Sequence, residues 1–101
     1  MRRAAKVDLN HAEVVTALRR LPCEVLSLAA LGKGCPDLLA LFRGRLTLLE
    51  VKQPGEKPNA AQAAFAVRWP VVVVHSGEEA VLAVVEAGRV AELEGQREPV
   101  K

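Results

Sequence analysis

Two apolar runs, Asp37-Leu38-Leu39-Ala40-Leu41-Phe42 and Arg45-Leu46-Thr47-Leu48-Leu49-Glu50-Val51-Lys52, flank the dipeptide Arg43-Gly44 and most constrain what this chain can fold into. Runs of this kind joined by a two-residue turn read as a β-hairpin. Pairing Phe42 with Arg45 across the turn sets the register, which then pairs Asp37 with Glu50 at the open end. Glu50 and Lys52, two apart on one strand, point to the same face. A slip of one residue would send the two carboxylates to opposite faces. Both faces of the runs are largely apolar, so the sheet is expected to be covered on both sides.

The remaining elements fall around this hairpin. Asn10 to Leu21 reads as a helix, with Val14, Ala17, Leu18 and Leu21 at helical spacing and Pro22 closing it. Glu24 to Ala29 reads as a first strand, and Gly32-Lys33-Gly34 as a flexible basic loop. Residues 53–58 form a loop, followed by a helix from Asn59 or Ala60 to about Arg68, stopped before Pro70. Val71-Val72-Val73-Val74 is a short buried strand. Ser76-Gly77-Glu78-Glu79 opens a third helix with capping-box chemistry, and Gly88 is expected to end it. The order is α-β-β-β-α-β-α: an α/β domain with a mixed central sheet flanked by helices. Residues 1–101 read as one domain, with a core of about 8–87 and a polar C-terminal tail over 88–101.

Composition excludes several classes. Half of the 101 residues are hydrophobic and 26% are charged, which fits a soluble globular domain and not a disordered tail. No apolar stretch approaches the roughly 20 residues of a membrane span. The basic start, Met1-Arg2-Arg3-Ala4-Ala5-Lys6, runs into Asp8, Asn10 and His11 where a secretory signal needs an apolar core; the expectation is a cytoplasmic protein. Cys23 and Cys35 have no metal-ligand spacing and read as reduced, partly buried thiols. Net charge is only +2, but residues 1–57 hold ten Lys/Arg against six Asp/Glu, and residues 58–101 hold four against six. The basic half also holds the chemistry-bearing residues, which allows a positive face toward phosphates.

Two carboxylates and a lysine at the end of an apolar sheet are costly unless something compensates them. A hard divalent cation does so, because Mg²⁺ accepts a few carboxylate oxygens and keeps several waters. Such an ion polarises a phosphodiester and acidifies a water. The lysine then orients or helps to deprotonate that water and balances charge in the transition state. The alternative is a structural salt bridge at a strand end, with Asp37 following Pro36 in a turn.

Gly34-Cys35-Pro36-Asp37-Leu38 followed by Glu50-Val51-Lys52 resembles the PD-(D/E)xK nuclease signature. Lys33-Gly34-Cys35-Pro36-Asp37, with Glu50-Val51-Lys52-Gln53 and the downstream Gln62, resembles the VRR-NUC subgroup more narrowly. With the flanking elements, the resemblance spans roughly residues 8–87 and implies a restriction-endonuclease-like αβββαβ core. It implies that Asp37 and Glu50 bind Mg²⁺ or Mn²⁺ with the main-chain carbonyl of Val51, and that Lys52 is the catalytic lysine. Glu13 matches an acidic residue of the family's first helix that assists metal or water binding. Gln62 matches a glutamine beside the active site. Capping is the alternative for both, since Asn10/Glu13 and Asn59/Gln62 each have capping-box spacing.

Lys33 and Lys57 lie in loops beside the expected site, where they contact phosphates or are simply solvated. His11 and His75 have no partner at recognisable spacing and read as structural. Trp69 reads as a core or interface residue, and the scarcity of aromatics argues against a base-stacking surface.

The resemblance implies a metal-dependent endonuclease acting on DNA in the cytoplasm of a bacterium or a virus-infected host cell. Stand-alone VRR-NUC members are small, virus-type and dimeric, and some cut branched DNA. A homodimer with two sites on a two-fold axis would suit a four-way junction. Two other readings stand beside it: a non-catalytic nucleic-acid-binding or assembly module, and a nuclease subunit of a larger DNA-processing complex.

Overall fold

A computed structural model describes residues 3–95 of the chain. Its elements are α1 (Arg3–Arg19), β1 (Cys23–Ser27), a 3-10 turn (Ala29–Leu31), β2 (Leu38–Phe42), β3 (Arg45–Val51), α2 (Ala60–Arg68), β4 (Val71–Val74) and α3 (Gly77–Gly95). The fold is α/β, with a four-stranded sheet in the order β1-β2-β3-β4. The first three strands run antiparallel and β4 joins β3 in parallel, so the sheet is mixed as expected. Among the described residues no helix is long and apolar enough to cross a membrane.

The hairpin has the expected register, with Phe42 opposite Arg45 and Leu38 opposite Leu49. Arg43 and Gly44 both take positive φ, 53° and 77°, the geometry of a type I′ turn whose twist matches the strands it joins. Alternation then sorts the side chains. Leu38, Ala40 and Leu49 point to the face covered by α1 and α3, where they meet Val14, Leu18, Val74, Ala80 and Val84 in one core.

The opposite face departs from expectation. It is not covered along its length: Leu26 and Leu46 are each 60% exposed, and Leu41 and Val73 remain partly open. The helix on this side is α2, as the right-handed crossover from β3 to β4 requires, and it has no fully buried side chain. Trp69, expected in a core or interface, is half exposed and stacks on Phe65 with ring centroids 5.6 Å apart.

Both outer helices are longer than their sequence signals suggest. α1 begins at Arg3, so Asn10 lies within the helix and caps nothing. α3 runs past Gly88 to Gly95, so the tail expected from residue 88 is helical as far as 95; residues 96–101 lie outside the described residues. Gly88 is a packing glycine: a Cβ there would stand 3.1 Å from the Phe42 ring. The extension is tied to the hairpin turn by ion pairs from Arg43 to Glu92 and from Arg45 to Glu94.

At the start of α3, the Ser76 hydroxyl accepts from the Glu79 N–H at 3.1 Å, as its capping chemistry predicts. The Glu79 carboxylate accepts from the His75 N–H and lies 3.0 Å from the His75 ring, so His75 does have a partner four residues on. Those hydrogen bonds lower the Glu79 pKa. Cys23 and Cys35 are free thiols, and burial pushes the Cys23 pKa up.

Candidate active site

Strand alternation places Asp37, Glu50 and Lys52 at one corner of the open face, beyond the last paired residues of the hairpin. The Asp37 carboxylate Oδ2 accepts the Val51 N–H at 2.7 Å, taking the bond that a further strand residue would have made. The Asp37 carbonyl accepts from the Leu28 N–H, so its main chain is held from the β1 side. Glu50 is only 4% exposed and Lys52 7%. The Lys52 Nζ lies 3.7 Å from Glu50 and 3.5 Å from Glu56.

Gln62 caps its helix and also reaches Glu50. Its Oε1 accepts from the Asn59 N–H while Asn59 Oδ1 accepts from the Gln62 N–H, a complete capping box at the start of α2. Because the box uses the carbonyl end of the amide, the donor end is left to reach Glu50 Oε2, at 2.9 Å. Helix capping thus orients the hydrogen bond at the site. Gly34 brings the same helix turn close, since a Cβ there would fall 2.2 Å from the Ala61 carbonyl oxygen. Gly34 also sits at φ +80°, so its loop and the first turn of α2 meet as only glycine permits.

Burial raises the Glu50 pKa to about 7, reinforced by the Asp37 charge and in part offset by Lys52. Among the described residues, Asp37, Glu50 and Glu56 gather around Lys52. Among the described residues no three His, Cys, Asp or Glu side chains are grouped to hold a metal ion. A two-carboxylate donor set beside a main-chain carbonyl still fits Mg²⁺ or Mn²⁺, which take few protein oxygens and retain water. Asp37, just before β2, and Glu50 on β3 would hold the ion, with Val51, next after Glu50, supplying its carbonyl.

Glu13 has a different engagement. It points from α1 to the start of α3, its Oε2 3.5 Å from the Gly77 N–H, where an acidic group suits the helix dipole. It also lines a groove between α1 and α3 with Thr16, Arg20, Leu21, Val81 and Leu82; none of Asp37, Glu50, Lys52 or Gln62 lines that groove. Lys33 is exposed in the Gly32–Gly34 loop that meets α2, and Lys57 is exposed just after Glu56.

Two contacts at the corner lie outside the sequence motifs. Glu56 spans the loop after β3, accepting the Gln53 N–H at 2.8 Å with one oxygen and facing Lys52 with the other. Its position four residues after Lys52 was the available signal. Asn10 donates from within α1 to the Lys52 carbonyl at 3.3 Å, across 42 residues of sequence, and no local pattern reports such a contact.

No protein-family model, no curated protein and no solved structure matches the chain.

Proposed function

We propose that this chain is a metal-dependent endonuclease that hydrolyses DNA phosphodiester bonds at the Asp37–Glu50–Lys52 corner, on a VRR-NUC-type, restriction-endonuclease-like core. The observation that supports it most is the buried Glu50 carboxylate set between the half-buried, mutually repelling Asp37 and the buried Lys52, with Glu50 raised to about 7. A salt bridge built for stability would not need the second carboxylate. Perturbed acids of this kind cluster at functional sites.

The Mg²⁺ or Mn²⁺ ion expected there would supply Lewis acidity toward the phosphodiester and toward a water. The protein groups do the rest. The Val51 N–H fixes Asp37, and the Gln62 amide fixes Glu50, so both carboxylates are oriented before substrate arrives. Lys52 presents a positive charge to the developing phosphorane and orients the attacking water. Lys33 and Lys57 contact the phosphate backbone. Glu13 holds the start of α3 in this reading.

The proposal includes a homodimer, with paired sites suited to branched or four-way junction DNA. The uncovered apolar side chains of the open sheet face favour some assembly partner. They equally favour a second reading, a nuclease subunit of a larger DNA-processing complex, in which cleavage is slow until a partner protein is added.

The test is cleavage of labelled linear duplex, single strand, flap and four-way junction DNA in EDTA, Mg²⁺ or Mn²⁺, with light scattering for mass. Metal-dependent cutting is expected, fastest on the junction, from a dimer. No cutting of any substrate with either metal, alone or with a partner protein, would remove the nuclease reading.

A further inference from the structure

Asparagine is a poor residue for a helix interior, because its short amide competes for backbone hydrogen bonds. Asn10 nevertheless sits well inside α1, which starts at Arg3. Its amide does not cap the helix; its Nδ2 donates to the main-chain carbonyl of Lys52 at 3.3 Å. Lys52 lies one residue past the end of β3, yet its N–H donates to the Val74 carbonyl at 3.0 Å. Both peptide groups of Lys52 are therefore held, one by β4 and the other by α1. Its ammonium group is held between Glu50 and Glu56.

We propose that Asn10 is a positioning residue, reaching from the helical layer to fix the Lys52 main chain so that its ammonium stays at the carboxylate corner. The consequence for cleavage rests on the nuclease reading above; the placement of Lys52 does not. Without the amide, the Lys52 carbonyl loses this hydrogen bond to α1, and the long lysine stem samples more rotamers.

NMR of the full chain reads this directly. In Asn10→Ala the Lys52 carbonyl carbon should move upfield and the Gln53 amide nitrogen should shift with it. The Lys52 Cε order parameter should fall. Asn10→Asp, nearly isosteric but without the donor, should do the same, and provides the comparison if the alanine variant is poorly folded. Asn10→Gln keeps a donor on a longer stem and should restore most of the wild-type signals. In cleavage assays, the alanine and aspartate variants should lose about 10- to 100-fold in kcat, the cost of a misplaced reacting group, while KM for DNA stays within about twofold. Unchanged Lys52 and Gln53 signals in both donor-free variants, with shifts confined to α1, would overturn the inference. So would an equal loss of kcat in Asn10→Gln. If the wild-type protein cuts no DNA, the nuclease reading falls, and the carbonyl shift and Lys52 order parameter still decide the placement.

Discussion

The two faces of the sheet treat charge and apolar surface in opposite ways. Under α1 and α3, Leu38, Ala40 and Leu49 are at most 1% exposed, and among the described residues the core cluster is wholly apolar. On the other face the usual order is inverted: Leu26 and Leu46 lie in water, while Glu50 and Lys52 are among the most buried residues. One strand, β3, contributes to both, because alternate residues of a strand face opposite ways. The covered face behaves as a core that stabilises the domain. The open face carries buried charges that cost stability, as the proposed site requires.

The comparison is sharpest within β3. Leu49→Ala should cost about 2–5 kcal/mol in urea unfolding, since it deletes a fully buried side chain from a packed core. Leu46→Ala, three residues away on the open face, should cost under about 0.5 kcal/mol. Similar losses at the two positions would mean that the open face is covered in solution.

Glu50 gives the next largest effect and has a definite sign. Its carboxyl titrates near 7 in the folded chain, above its ordinary value of 4.5, so the folded state holds a proton that the unfolded chain has released. Stability should be greatest below about pH 4.5 from this group. It should then fall through pH 7 by roughly 3 kcal/mol, the order implied by the shift in pKa. Glu50→Gln should flatten that fall and leave the variant more stable than wild type at pH 8 in EDTA. Mg²⁺ at pH 8 should raise the wild-type melting temperature and leave that of the variant nearly unchanged.

A smaller effect is expected at the joint between the open face and α2. Gly34→Ala forces a Cβ against the Ala61 carbonyl at positive φ, at a cost of about 1–3 kcal/mol. The Gln62 side-chain amide should lose its hydrogen-bonded NMR shift while core methyl signals stay in place. Disturbance of the core methyls instead would show that α2 is part of the core.

Much of this was legible in the chain. A two-residue turn fixes hairpin register, so Phe42–Arg45 pairing alone puts Asp37 at the Glu50 end of the hairpin. The helix ends were harder. Gly88 has the sequence look of a stop, but its missing Cβ makes room for the Phe42 ring, a tertiary reason that no local pattern carries. Asn10 has the look of a cap, and its amide is used 42 residues away. Which face stays open was also hidden, because Leu46 and Leu49 are the same residue type and differ only in what packs above them. Capping-box spacing locates Gln62 at the start of α2, but the second use of its amide, toward Glu50, needs the sheet beside it.

Asp37, Glu50 and Lys52 are proposed to form a metal-dependent phosphodiesterase site. Its most direct test is single-turnover cleavage of the preferred DNA substrate in Mn²⁺ by wild type and by Lys52→Ala, with circular dichroism showing that the variant is folded. A wild-type rate abolished by EDTA and at least about 100-fold slower in the variant is predicted, the scale of losing one transition-state contact. Equal rates in the two proteins would contradict the account and place any cleavage outside this corner.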